Sequence, residues 1–182
     1  MARVNKTRYS VLGCLSIKDM SAYDIKSFMA RSTYYFWQEH EAQLYPMLKK
    51  LTDEGLVGYK EEKAQKIGLR KMYHVTDQGI SVLREWLASK TVQAPYRNEF
   101  LLKLFFNNQI DKTITIRRLE SYKEDLQEDL AIISNILTNI PAKLAQDKRQ
   151  PYRVITINYG VNLLQAEIQW CDESVKILQE VK

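Results

Sequence analysis

Two cysteines, two histidines and the want of any long apolar run set the first limits on this sequence. Cys14 and Cys171 lie far apart, each in an apolar setting, so no disulfide framework can be drawn and buried inert thiols in a reducing compartment are expected. His40 and His74 have no histidine or cysteine at zinc-like spacing, which excludes the usual tetrahedral metal sites. No Gly-rich phosphate loop and no nucleophile elbow follows a strand-like run. Pairs such as Glu124 with Glu128 and Asp125 with Asp129 stand four apart on a helical surface, where solvation explains them. No catalytic set, no metal and no cofactor is therefore expected, and the chain reads as a non-enzyme. No apolar stretch approaches the roughly 18 to 20 residues that span a bilayer. The start "MARVNKTRYSVLGCL" has no small-residue cleavage site after a clear apolar segment, so a cytoplasmic protein with no membrane partner is expected.

What is present is enough for a core and unevenly charged. With 182 residues and 45% hydrophobic content, the chain can form one full domain plus a substantial second element. Residues 1–90 carry 15 Lys or Arg against 10 Asp or Glu, whereas residues 91–182 carry 12 of each. The whole surplus of +5 lies in the first half. A basic module beside a neutral one suits a polyanion partner for the first, although a surplus of this size also occurs on ordinary surfaces.

The first half reads as a compact module. "NKTRYSVLGCL" sets Tyr9, Leu12 and Leu15 on one side of a helix, with Asn5 or Thr7 as its cap. A second helix starts at Ser21, with Asp24 three residues on as a capping-box acid and Ile25, Phe28 and Met29 at helical spacing. In "HEAQLYPMLKKLTDEGLV", Leu44, Leu48 and Leu51 follow i, i+4, i+7 and Gly55 suits a left-handed stop. Pro46 interrupts that pattern. From His40 as a cap it falls in the second turn, so the helix begins with a tightened turn or effectively near Tyr45. "LVGYKEE" and "LRKMYHV", separated by the basic "KAQKIG", then read as a β-hairpin. Thr76 caps a fourth helix in which Ile80, Leu83 and Leu87 share a face flanked by Trp86.

Three helices, a two-stranded ribbon and a fourth helix predict a winged helix-turn-helix module. In such a module the third helix ordinarily enters the DNA major groove and the ribbon tip reaches neighbouring phosphates or the minor groove. Gln43 can bond adenine bidentately, and Lys49 or Lys50 can neutralise phosphate or reach guanine. Lys60, Lys63, Lys66, Arg70 and Lys71 give the ribbon five cations against Glu61 and Glu62. The same residues also fit a merely solvated hairpin and helix face.

Four segments carry a resemblance: "SAYDI", "LYPMLKKLTDEGLV", "KMYHVTDQG" and "EFLLKLFF". Together they resemble the PadR family of bacterial transcription regulators, in the family's order over most of residues 5–106. The aromatic "YYFWQEHEAQLY" is similar to its larger, AphA-like subgroup, in which the C-terminal region forms long dimerising helices. The resemblance implies that Tyr45 lies near the DNA backbone. Ala42 and Gln43 stand where many relatives have a small or hydroxylated residue, so base preference does not carry over. Tyr23 matches a family tyrosine and is weighed here toward packing, its ring beside Ile25 and Phe28. The resemblance further implies that some members answer to phenolic or planar cationic ligands. Tyr34, Tyr35, Phe36, Trp37, Tyr96, Phe105, Phe106 and Trp170 are candidates for such a pocket or for core, with Trp37, Tyr96, Phe106 and Trp170 as the pocket set.

The second half reads as a pairing device. After Pro95, "NEFLLKLFF" is expected to form a short helix against the first module. Ile116, Leu119, Leu126, Leu130, Ile133, Leu137, Ile140 and Leu144 then advance by threes and fours, broken only at Lys123, until Pro141 kinks or ends the helix. Val154, Ile157, Val161, Leu164, Ile168, Cys171, Val175 and Leu178 repeat the device beyond "AQDKRQP". The two seams can pair antiparallel within a chain, and Tyr122, Ile132, Ile136 and Leu163 broaden the stripe toward a second copy. The dimerisation set is Leu119, Leu126, Leu130, Ile133, Leu137, Val161, Leu164 and Ile168.

The predicted architecture is mainly α with a small β-hairpin: a winged helix-turn-helix DNA-binding domain over residues 1–92, then a C-terminal antiparallel, coiled-coil-like helical dimerisation domain over 93–182. The expected partners are double-stranded DNA, a second copy of the chain and a possible small aromatic ligand. The leading function is a dimeric repressor at a palindromic operator. A competing function is a winged-helix scaffold that dimerises without specific DNA binding.

Overall fold

The computed structural model describes residues 5–33, 36–37, 41–63, 69–92, 96–139 and 147–180, and divides into two compact units, Met1–Gln93 and Ala94–Lys182. The expectations placed on His40, Tyr34, Tyr35, Lys66, Gly68, Pro95, Ile140, Pro141 and Leu144 lie outside the described residues.

In the first unit the order is α1 (Thr7–Leu15), α2 (Ala22–Ser32), α3 (Glu41–Asp53), β1 (Val57–Lys63), β2 (Leu69–Val75) and α4 (Asp77–Ala88). Asn5 caps α1 from one residue outside, its side-chain carbonyl accepting from the Thr7 amide at 3.0 Å. The capping box of α2 is present in full, with Asp24 N donating to Ser21 Oγ and Ser21 N donating to Asp24 Oδ2. Gly55, at φ 71°, closes α3: its left-handed turn lets Leu56 N reach Leu51 O at 2.9 Å.

Pro46 lies inside α3, which runs from Glu41 and is not delayed to Tyr45. The loss is confined to one hydrogen bond, the one that Pro46 cannot donate to the Ala42 carbonyl. Ala42 is exposed, so water can satisfy that carbonyl. The inner face of α3 packs Leu44, Met47, Leu48 and Leu51 against Val11, Leu12 and Leu15 of α1 and Ile25 and Met29 of α2. Each fully buried side chain of this kind contributes about 1.5–3 kcal/mol.

The ribbon is an antiparallel ladder from Val57 opposite Val75 to Lys63 opposite Leu69. Met20 and Tyr73 exchange two backbone hydrogen bonds, at 3.1 and 3.0 Å, so the loop before α2 pairs with β2 and holds the ribbon. Thr76 caps α4 by accepting from Gly79 N and donates to Gly55 O, joining the starts of α4 and β1. One expectation for α4 fails. Leu83 is buried, but Leu87 is 66% exposed, because the inward face continues through Trp86, whose ring stacks on Tyr9 at 4.5 Å.

The second unit comprises α5 (Glu99–Phe105), a 3-10 turn (Asn107–Gln109), α6 (Lys112–Thr138) and α7 (Gln150–Glu180). Lys123 meets Asp172, Tyr122 meets Glu167 and Gly160 faces Ile133, so α6 and α7 run antiparallel. The seam of α6 is not broken at Lys123. It passes through half-buried Tyr122 between buried Leu119 and Leu126, the three-step that keeps the stripe facing α7.

Candidate functional site

On α3 the outward residues are Ala42, Gln43, Tyr45, Lys49 and Lys50, all exposed, with Tyr45 at 56%. They share a face because the 3.6-residue period that turns Leu44, Leu48 and Leu51 inward turns these outward. The polar groups of Gln43, Lys49 and Lys50 are already engaged. Thr7 Oγ1 donates to Gln43 Oε1 at 3.3 Å, Lys49 pairs with Asp53 at 2.7 Å, and Lys50 stands 3.9 Å from Glu54. Glu54 also takes Arg8 at 3.0 Å. At such exposed sites each pair is worth about 0–1 kcal/mol, small enough to be exchanged for a stronger anion.

The ribbon sets Glu61 opposite Lys71 and Glu62 opposite Arg70, with Arg70 at 3.8 Å from Glu62. Lys71 Nζ sits 4.1 Å from the Tyr59 ring centroid, and its bond to the Tyr59 hydroxyl holds the ammonium above its ordinary pKa. Lys63 is exposed, and neither it nor Lys60 makes an ion pair among the described residues. Tyr23, weighed as packing, is 72% exposed: Ala22 and Ile25 take the inward positions of α2 and turn it outward. Burial pushes the Tyr73 hydroxyl pKa up.

A second feature lies wholly within the second unit. A hollow of about 210 Å³ is lined by Tyr96, Asn98, Phe100, Leu101, Tyr122, Glu167 and Trp170. Of the four residues named for a pocket, Tyr96 and Trp170 line it. Trp37 instead packs on the first unit's core, and Phe106 is exposed and meets Phe105 edge-on at 5.1 Å. Leu119, Leu126, Ile133 and Leu164 of the dimerisation set are buried along the α6–α7 seam; Leu130, Leu137, Val161 and Ile168 are half-buried. Among the described residues no group of three or more His, Cys, Asp or Glu converges on a metal position. No helix among them is long and apolar enough to cross a membrane.

Sequence reasoning took Thr7 only as a cap candidate and missed that it is buried and holds Gln43, and it missed the pocket residues Asn98, Phe100 and Glu167. Phe100 had a signal in the apolar run after Asn98; Glu167, beside a seam position on α7, had none.

A four-helix unit with a two-stranded wing, followed by a unit of two long antiparallel helices, defines a class of winged-helix transcription regulators. Known proteins narrow that class. The profile of the transcriptional regulator PadR-like family matches residues 11–85, and that of the virulence activator alpha C-terminal region matches 96–179. The negative transcriptional regulator PadR of Bacillus subtilis is 32% identical over 130 residues, covering 71% of this chain and 70% of that protein. The chain belongs to the PadR family, with an AphA-like C-terminal region.

Solved structures agree in fold. Bacillus subtilis PadR in complex with operator DNA superposes at TM-score 0.85 with 22% identity, covering 96% of this chain and 99% of that one. The same regulator in complex with p-coumaric acid gives 0.77 with 24% identity over 97% and 100%. The Vibrio cholerae virulence activator AphA gives 0.72 with 28% identity over 95% and 98%.

Proposed function

We propose that the chain is a cytoplasmic homodimeric repressor that binds a palindromic operator through α3 and the wing and responds to a small aromatic molecule. The observation that carries this reading is the two-sidedness of α3, which buries Leu44, Met47, Leu48 and Leu51 and presents Gln43, Tyr45, Lys49 and Lys50 beside a basic ribbon. Tyr45 and the basic residues Lys63, Lys66, Arg70 and Lys71 serve as backbone contacts. Gln43 serves as the base reader and Ala42 leaves room for the groove edge. The bound operator in the structure of Bacillus subtilis PadR supports the same use of this fold.

Exposed apolar residues support the dimer. Ile132 and Ile136 of α6 and Ile155, Tyr159 and Leu163 of α7 remain uncovered after the seam has closed, and a second copy related by a two-fold axis covers them. Two α3 helices then meet successive major-groove faces about 34 Å apart, or a multiple of it.

A selection from random duplexes with the purified protein tests the reading, followed by binding of Gln43→Ala and Lys49→Ala across salt concentrations. Gln43→Ala relaxes one base position by about 1–3 kcal/mol, whereas Lys49→Ala weakens all sequences alike and flattens the salt dependence. A uniform loss from Gln43→Ala would remove its base contact. One observation favours the scaffold reading instead: both α3 lysines have carboxylates within 4 Å, which lowers the positive charge of that face. Recovery of no motif, with weak binding even at low salt, would establish the scaffold reading.

A further inference from the structure

Among the described residues, the hollow of the second unit combines aromatic rings with one carboxylate and no cation. Phe100 stacks on Tyr122 at 4.8 Å and 26°, and stands edge-on to Trp170 at 6.2 Å and 76°. Tyr96 is 78% exposed, which makes it a wall of the hollow and not core, and Asn98 Nδ2 donates to its hydroxyl at 3.2 Å. Asn98 is fixed in turn, because its Oδ1 caps α5 by accepting from Leu101 N at 3.0 Å. The wall is therefore held by the chain's own bonds.

Among the described residues the charge on the hollow is that of Glu167 alone, beside the neutral polar groups of Tyr96, Asn98 and Tyr122. Tyr122 Oη donates to Glu167 Oε2 at 3.3 Å, leaving a second carboxylate oxygen for a guest. Burial, then the charge of Glu167, pushes the Tyr122 hydroxyl up to about 12, so that group stays a donor at any working pH. Among the described residues no Lys, Arg or His lines the hollow, and the neighbouring Lys123 is taken by Asp172 at 2.8 Å. An anionic guest would meet a like charge with no counterion. A cation would meet ring faces of negative potential together with a carboxylate. About 210 Å³ is the room of roughly seven waters at about 30 Å³ each, so the guest is compact.

We propose that this hollow binds a compact organic ammonium ion, seated against Tyr96, Phe100, Tyr122 and Trp170 and neutralised by Glu167. The assignment rests on the reading of the chain as a ligand-responsive regulator and gives the charge of its ligand, opposite to that of the phenolic acid held by the Bacillus subtilis relative.

The test is calorimetric titration of the full chain, without DNA, using choline, its neutral carbon isostere 3,3-dimethylbutan-1-ol, phenethylammonium and p-coumarate. Choline and phenethylammonium bind, and the isostere binds at least about tenfold more weakly than choline. Glu167→Gln keeps an acceptor for Tyr122 and hence the fold, yet lowers cation affinity about tenfold and leaves the isostere unchanged. Tyr96→Ala, altering an exposed ring, weakens both cations without moving the melting temperature. Equal binding of choline and its isostere, binding of neither cation, competition by p-coumarate, or indifference to Glu167→Gln overturns the proposal. A protein that selects an operator but binds neither cation overturns this inference alone; one that binds cations but no duplex overturns the operator reading alone.

Discussion

The two units dispose of their apolar residues in different ways. In the first, Val11, Leu12, Ile25, Leu48 and Leu51 converge from three helices and are at most 1% exposed. In the second, Leu119, Leu126, Ile133, Leu164 and Cys171 are buried along a single line between two helices, while Ile155 beside them is 64% exposed. Three helices with a ribbon enclose a volume, whereas two helices enclose only a seam and leave their flanks to another surface. The first unit thus closes its core within one chain, whereas the second leaves apolar flanks exposed.

Substitutions that attack each kind of burial test the contrast most severely. Leu51→Ala destabilises the first unit by about 2–5 kcal/mol in denaturant melts, independently of protein concentration, because the cavity lies wholly inside one chain. Ile155→Glu combined with Tyr159→Glu halves the sedimentation mass while keeping the helical signal, since both side chains already face solvent in the single chain. A double variant that kept the dimer mass would place the partner surface elsewhere and break the comparison.

Two helical glycines sharpen it at smaller scale. A Cβ on Gly79 would stand 2.2 Å from the Leu56 carbonyl oxygen, backbone that the first unit holds on several sides. A Cβ on Gly160 would stand 2.6 Å from Ile133 Cδ1, the tip of one side chain across the seam. Gly79→Ala therefore costs about 1–3 kcal/mol through overpacking. Gly160→Ala is close to neutral, because the roughly 1 kcal/mol gained in helix propensity offsets a shift of the Ile133 side chain. Thermal melts of the two variants check the order, and a larger loss at Gly160 would show the seam to be as rigid as the core.

The sequence made these differences legible only in part, and the division follows the range of the interactions. Ser21 with Asp24, Gly55 and Thr76 announce their roles because a cap is satisfied within a few residues. The inner face of α3 was readable from its period, despite Pro46. Leu87 was misplaced because periodicity does not reveal where the neighbouring helix ends, and Tyr23 because a family tyrosine does not state which way it faces. The hollow needed residues from Tyr96 to Trp170 brought together by the α6–α7 pairing, and Glu167 is indistinguishable in sequence from any solvated helical acid. The bond from Thr7 to Gln43, 36 residues apart, was equally out of reach.

The smallest expected effect concerns one carboxylate from each unit. In the first, the Ser21 hydroxyl at 2.7 Å and then the Ser21 amide at 3.0 Å hold Asp24 below its ordinary pKa, against the opposing effect of burial. In the second, the Arg149 side chain, followed by its backbone amide, holds Asp147 down to about 2 at the start of α7. A carboxylate whose folded pKa is depressed contributes stability that is present above its unfolded value and lost as pH falls through the folded one. Both contributions are thus intact at neutral pH and fade as pH falls below the ordinary carboxylate value, that of Asp147 continuing to fade until pH reaches about 2. Asp24→Asn accordingly costs up to about 1 kcal/mol at pH 7, the scale of a helix cap, and the difference from the parent closes as melts are taken down through the acid end of the carboxylate range. The loss from Asp147→Asn, read in the same melts, also shrinks on acidification but closes only at a lower pH, because its bonds to Arg149 keep the folded carboxylate ionised down to about 2. Two losses that closed together would mean that a neutral serine holds its carboxylate as firmly as a guanidinium does.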